Sequence, residues 1–207
     1  LQTFRLYAIT GEQFHPGRDL IEVMEEAILG GVDIIQLRDK SGNKQEILRK
    51  AHALRELTRK HGVTFIVNDH IDIALEADAD GIHLGQDDLP LAEARKLVGN
   101  KIIGISTHAI HEALQAEKDG ADYIGVGPVY ATKSKVDVVD PVGVGYVREV
   151  AAQVRLPFVA IGGIKLHNVE EVLEAGATWI CAISEIVGSD DVRGTCETFI
   201  SKLEKRG

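Results

Sequence analysis

Cysteine is nearly absent from this chain. Cys181 and Cys196 are its only two, too few for a disulfide framework, and neither has metal-ligand spacing to another cysteine. Cys181 lies in the apolar run Trp179-Ile180-Cys181-Ala182-Ile183 and Cys196 at a core-facing position of the last helical pattern, so both are expected inside. Long apolar runs are missing too. None approaches the ~18–20 residues that cross a membrane, and no signal peptide opens the chain, which makes a reduced cytoplasm the expected setting. Basic excess is also lacking. Lysine and arginine total 23 against 32 acids, a formal charge of −9, which argues against a general nucleic-acid binder because phosphate backbones favour basic surfaces. Small anionic substrates stay open, since a few local cations can hold a phosphate on an acidic protein. No linker or low-complexity segment divides the 207 residues, so they read as one domain, and 44% apolar content is enough for a sizeable core.

A single grammar fills the chain. Short apolar runs at 4–9, 33–37, 64–67, 81–84, 101–105, 123–126, 157–161 and 179–183 read as strands. Each is followed by a helical pattern. The first carries Leu20, Val23, Met24, Ala27 and Ile28, and the second, capped by Asn43, carries Ile47, Ala51, Leu54 and Thr58. The others span 71–77, 91–98, 110–119, 145–154 and 169–175, and the last carries Val192, Cys196, Phe199, Ile200 and Leu203. Eight strand-then-helix units is the count at which a parallel sheet closes into a (β/α)8 TIM barrel. Nearly uninterrupted apolar strands fit a sheet covered on both faces. A doubly wound open sheet is the alternative, but no glycine-rich dinucleotide fingerprint follows the first strand.

Barrel chemistry sits at the C-terminal ends of the strands. Side chains alternate along a strand, so Gln36, Arg38 and, if the strand persists that far, Lys40 share one face, with Leu37 and Asp39 on the other. An amide and two cations at a strand end suit an anion, though alone they would pass as solvated loop charges. Later strand ends add Asn68, Asp69 and His70; Gln86, Asp87 and Asp88; Ser106, Thr107 and His108; the run Ala131 through Lys135; Gly162-Gly163; and Ser184. Asp69 and Asp88 have the hard oxygen chemistry of magnesium, which takes one or two carboxylates and completes its shell with water and phosphate oxygens. The competing roles are a helix cap for Asp69 and a turn before Pro90 for Asp88. Asp72 and Asp87 read as surface or capping groups. Gly162-Gly163 before a helix permits close backbone approach to an anion, and the loops after strands seven and eight are the usual barrel phosphate site. His108 and His111 could share a helical face but have no third partner, and read as exposed groups at a helix start. His83 reads as a satisfied interior histidine, and Trp179 and Phe158 as core.

Gln36-Leu37-Arg38-Asp39-Lys40, Asn68-Asp69, His83-Leu84-Gly85-Gln86-Asp87-Asp88, Gly104-Ile105-Ser106, the run from Gly120 to Tyr130, and Ala160-Ile161-Gly162-Gly163-Ile164 give the chain a specific resemblance. Over essentially its full length it resembles the thiamine-phosphate synthase (thiamin-phosphate pyrophosphorylase) family. The resemblance implies a (β/α)8 transferase that joins a hydroxymethylpyrimidine diphosphate to a thiazole phosphate, releasing pyrophosphate with Mg2+. It implies that Gln36, Leu37, Arg38, Asp39, Lys40, Asn68, Ser106 and Lys135 meet the pyrimidine diphosphate, with Arg38, Lys40, Ser106 and Lys135 catalytic. It places magnesium on Asp69 and Asp88, and the thiazole phosphate on Thr132, Lys133, Ser134, Gly163, Ile183 and Ser184. Asp39 stands where glutamate is common, and Ala131 and Ser134 replace the proline and threonine of the usual Pro-Thr-x-Thr-Lys loop. The polar segment 131–141 is expected to act as a lid. The expected partners are the two small phosphorylated substrates, with no nucleic acid and no membrane; a homo-oligomer is compatible with the sequence but not specified by it. The alternatives are a thiazole tautomerase, a phosphosugar or tryptophan-pathway isomerase, and a non-catalytic phosphate-binding barrel.

Overall fold

Eight parallel strands pair in chain order and close on themselves: β1 (Leu6–Ile9), β2 (Ile34–Leu37), β3 (Thr64–Asn68), β4 (Gly81–Leu84), β5 (Ile102–Thr107), β6 (Tyr123–Val126), β7 (Phe158–Ala160) and β8 (Ile180–Ala182). The computed structural model describes residues 1–134 and 139–206. Closure is made by β1 against β8, with Leu6 opposite Ile180 and Ala8 opposite Ala182. Around the barrel run α1 (Leu20–Leu29), α2 (Lys44–His61), α3 (Ile71–Glu76), α4 (Leu91–Val98), α5 (Ile110–Asp119), α6 (Gly143–Gln153), α7 (Val169–Glu174), α8 (Ser184–Val187) and α9 (Val192–Glu204). Among the described residues no helix is long and apolar enough to cross a membrane.

Local chemistry sets the helix ends. Asp19 accepts from the Glu22 N–H at 3.1 Å and Asn43 from the Glu46 N–H at 3.2 Å, each satisfying a donor left open by the first turn. Gly62 closes α2 with φ 67°, a left-handed stop that a side chain would resist. Two elements carry no clear periodicity and were invisible in the sequence pattern: a 3-10 turn at Glu12–Phe14 and the four-residue α8. Sequence periodicity starts the sixth helix at 145, but it begins at Gly143, and β5 runs on to Thr107, so Ser106 and Thr107 belong to a strand rather than to the loop after it.

Alternation along each strand splits the apolar residues into two cores. On β2, Ile35 and Leu37 face the helices, while Ile34 turns into the barrel. The inner core is aromatic. Phe4, Tyr7, Tyr123 and Trp179 pack ring to ring, with Trp179 centroids 5.1 Å from Phe4, 5.6 Å from Tyr7 and 5.0 Å from Tyr123. Gly104 makes room for this layer, since a Cβ there would meet Tyr123 Cζ at 2.1 Å. The rings fill the lower barrel and leave the upper end for a site.

Candidate active site

A cavity of about 490 Å³ opens at the C-terminal ends of the strands. Thr10 fixes one edge of it: its hydroxyl accepts from the Arg38 N–H at 3.0 Å and donates to the Arg38 carbonyl at 3.2 Å, clamping the chain leaving β2 to the end of β1. Arg38 and Lys40 both line the cavity, but β2 ends at Leu37, so they do so from the loop beyond the strand. Gln36, expected on the same face, is buried and borders only a small hollow beneath the cavity. Leu37 and Asp39 do not line it. Leu37 is buried in the outer core, and Asp39 ion-pairs with Lys50 of α2 at 2.8 Å, so the expectation that their side chains meet substrate is corrected: both are engaged on the helix side of the barrel.

Across the mouth Asp69 and Asp88 lie together with Lys40. Asp69 takes a left-handed backbone, φ 64°, uncommon without glycine. Its side chain pairs with the Lys40 ammonium, and His70, not Asp69, occupies the α3 cap position. Burial works against the Asp69 charge, but the Lys40 ammonium outweighs it and holds the carboxyl below its usual range. Asp88 accepts from the Gly85 N–H at 2.6 Å, the turn role expected as its alternative, while also facing the cavity. Burial, offset in part by that N–H, and the neighbouring Asp69 charge push its carboxyl upward. Two crowded carboxylates, one of them held by an ammonium, suit a small hard dication. No group of three or more His, Cys, Asp or Glu residues placed to hold a metal occurs among the described residues, so substrate oxygens and water would have to complete the shell, as magnesium commonly allows.

The floor is polar. Gln36 is buried and donates to the Tyr7 hydroxyl at 2.9 Å. Ser106 faces His83 Nε2 at 2.7 Å, and Asn68 also lines the cavity. His83 is the satisfied interior histidine expected of it. Burial pushes the Tyr7 and Tyr123 phenols above their ordinary range, so both keep their protons.

At the opposite rim Ser134 donates to Ser184 Oγ at 3.4 Å, and Lys165 Nζ donates to the same oxygen at 3.3 Å. Gly163, φ 65°, lets this loop touch the 130–134 segment; a Cβ would stand 2.7 Å from the Ala131 carbonyl oxygen. Thr132, Gly163, Ile183 and Ser184 all line the cavity. Lys133 is exposed and outside the lining, a correction to the expectation that its side chain meets the phosphate, while its neighbours Thr132 and Ser134 line the cavity. Lys135, and with it the middle of the proposed lid, lies outside the described residues. No helix starts directly after Gly162-Gly163: α7 begins at Val169, whereas α8 begins at Ser184 on the cavity wall.

Sequence reasoning missed Lys165 and Glu112 and set His108 on the surface, yet all three line the cavity; Asp87 is exposed, as expected, and also borders the cavity. His108 is half-buried, its Nδ1 2.8 Å from the Gly127 carbonyl oxygen and its N–H donating to Glu112 at 2.7 Å. Lys165, two residues beyond the glycine pair, was the one discoverable from position. It makes no ion pair among the described residues.

Residues 6–186 match the family model described as thiamine monophosphate synthase. The chain is 68% identical to the thiamine-phosphate synthase of Halalkalibacterium halodurans, covering 100% of this chain and 99% of that one, and 63% identical to that of Shouchella clausii, covering 99% of each. Among solved structures it resembles the thiamine phosphate pyrophosphorylase from Pyrococcus furiosus, with TM-score 0.89, 39% identity, and 98% and 96% of the two chains covered. A 3-hexulose-6-phosphate synthase from Salmonella typhimurium, 16% identical with TM-score 0.73 over 98% of this chain and all of that one, shares the fold alone. The chain belongs to the thiamine monophosphate synthase family.

Proposed function

We propose that this cavity carries the family reaction, joining 4-amino-2-methyl-5-hydroxymethylpyrimidine diphosphate to 4-methyl-5-hydroxyethylthiazole phosphate, with loss of pyrophosphate before the new carbon–nitrogen bond forms. The observation that carries this reading is the division of one cavity into two anion-binding ends, Arg38 with Lys40 on one rim and Lys165 with Ser134 and Ser184 on the other. The pyrimidine diphosphate takes the first end, its ring held over Gln36, Asn68 and Ser106. The thiazole phosphate takes the second, with Thr132, the backbone at Gly163 and Ile183-Ser184, and Lys165 as the cation.

The methylene carbon of the pyrimidine loses diphosphate, and its electron-rich ring stabilises the developing cation. Arg38, Lys40 and, by the resemblance, Lys135 neutralise the charge growing on the leaving oxygens. Lys40 exchanges Asp69 for a diphosphate oxygen as the substrate seats. Magnesium on Asp69 and Asp88 would add a fixed positive charge against the same oxygens. Holding the thiazole nitrogen against the carbon supplies proximity, so no protein nucleophile is needed. A thiazole isomerase would have no use for the cations and acid pair at the β2–β4 ends.

Incubating the chain with both substrates and Mg2+ should yield thiamine phosphate and pyrophosphate, and chelating the metal should suppress both. Conversion of the thiazole phosphate alone, or turnover indifferent to magnesium, would displace this reading in favour of an isomerase.

A further inference from the structure

Beneath the cavity a continuous chain of hydrogen bonds crosses the barrel. Gln36 Nε2 donates to the Tyr7 hydroxyl at 2.9 Å, the Tyr7 and Tyr123 hydroxyls are 2.8 Å apart, Tyr123 meets His83 Nδ1 at 2.8 Å, and His83 Nε2 meets Ser106 Oγ at 2.7 Å. Its links come from β2, β1, β6, β4 and β5 in turn. Tyr7 and Tyr123 are 1% and 0% exposed, so bulk water cannot stand in for a missing link. Ser106 alone of the chain lines the main cavity, and Gln36, Tyr7, His83 and Ser106 border a small hollow beneath it, so that within the chain Gln36 and Ser106 are the members with a polar group left over for a ligand.

We propose that Tyr7, Tyr123 and His83 are positioning residues that couple the Gln36 amide to the Ser106 hydroxyl, so that the two ends read the edge of the pyrimidine ring as one unit. The inference rests on the assignment of Gln36 and Ser106 to that ring. A hydroxyl has one proton, and a neutral imidazole has one donor and one acceptor nitrogen. With the Gln36 NH2 on Tyr7, Tyr7 donates to Tyr123, Tyr123 to His83 Nδ1, and His83 Nε2–H to Ser106. The Ser106 proton and the Gln36 carbonyl oxygen are then left for the ligand. Turning the amide over reverses every link: Ser106 donates to His83, and the ligand meets a serine lone pair and an amide NH2. The two ends thus always present opposite polarity. The first state complements an aminopyrimidine edge, an exocyclic N–H donor beside a ring-nitrogen acceptor. The second complements the 4-oxo analogue, a carbonyl beside a ring N–H. An uninterrupted chain penalises mixed states, because a buried hydrogen bond is then lost within it.

The test is a double-mutant cycle in the whole enzyme, reading kcat/KM for the pyrimidine diphosphate. Gln36→Ala and Ser106→Ala are combined in the wild-type and in the Tyr123→Phe background. The expected result is non-additivity on the order of tenfold in the wild type, near-additive effects in Tyr123→Phe, weaker discrimination against the 4-oxo analogue in that background, and an unchanged KM for the thiazole phosphate throughout. Non-additivity that survives Tyr123→Phe, or is absent from the wild type, overturns the relay. Single variants with wild-type pyrimidine kinetics overturn the ring assignment instead, and the relay with it. If Tyr123→Phe does not fold, Tyr7→Phe breaks the same chain one link away and is read by the same criteria.

Discussion

Lys40 is paired before any substrate arrives, with Asp69 holding its ammonium in place of a phosphate oxygen. Such a contact orients the lysine without leaving an unpartnered charge at the cavity mouth. Arg38 and Lys165 both line the cavity, at the two ends proposed to bind anions, and their effects should separate. Arg38→Ala, like Lys135→Ala, is expected to lower turnover by on the order of 10²–10³, as for removal of an electrostatic stabiliser of a leaving group. Single-turnover rates check it, and near-wild-type rates in both variants would contradict the assignment. Lys165→Ala removes a charge-assisted hydrogen bond at the other end and should raise KM for the thiazole phosphate roughly 10- to 100-fold, leaving KM for the pyrimidine diphosphate in place. Initial-rate measurements with each substrate varied in turn decide it; a rise in the pyrimidine KM instead would move Lys165 to the other subsite. The difference in legibility between these residues is physical. Arg38 and Lys40 stand out because alternation, carried past the strand end, groups them with Gln36, whereas Lys165 sits in an irregular loop where periodicity says nothing about direction.

At the scale of elements, the Asp39–Lys50 pair ties the end of β2 to α2. Its side chains are 10% and 13% exposed, and Glu12 joins Lys50 at 2.5 Å. Burial disfavours the Asp39 charge, but the Lys50 ammonium and the Ser41 N–H more than offset it, so the folded carboxyl ionises below its ordinary range. A lowered folded pKa means that the contribution to stability is complete above the unfolded carboxyl value of about 4 and disappears as the pH falls through the folded one. Asp39→Asn should therefore cost about 1.5–3 kcal/mol at pH 7, with the gap to wild type closing in more acidic solution. Urea unfolding across that range checks it, and a pH-independent gap would mean the ion pair is not what links strand to helix. Strands buried on both faces and helices with one apolar stripe made the eight β/α units readable in sequence. The four residues of α8 could not be read, because a single turn is shorter than the repeat that would reveal it.

Over the whole molecule, two apolar layers divide the labour. The outer one, between strands and helices, holds the barrel closed; the inner one packs Trp179 among Phe4, Tyr7 and Tyr123 and shuts the lower end. Among the described residues the buried indole N–H of Trp179 has no hydrogen-bond partner. Trp179→Phe removes that unsatisfied donor along with some volume, and is expected to destabilise by less than the ~3–5 kcal/mol typical of emptying an aromatic site with Trp→Ala. Thermal or urea melts of the two variants compare them directly; equal losses would show that a phenyl ring recovers none of the packing there.

That sealed base makes the site a berth with one doorway. If the pyrimidine ring sits over Gln36 and Ser106 as proposed, it is expected to board first, with the thiazole phosphate following at the threshold. A thiazole phosphate that arrives early stands in the way, so an excess of it should inhibit competitively against the pyrimidine diphosphate, and initial-rate plots that show no such congestion would mean the two passengers enter independently.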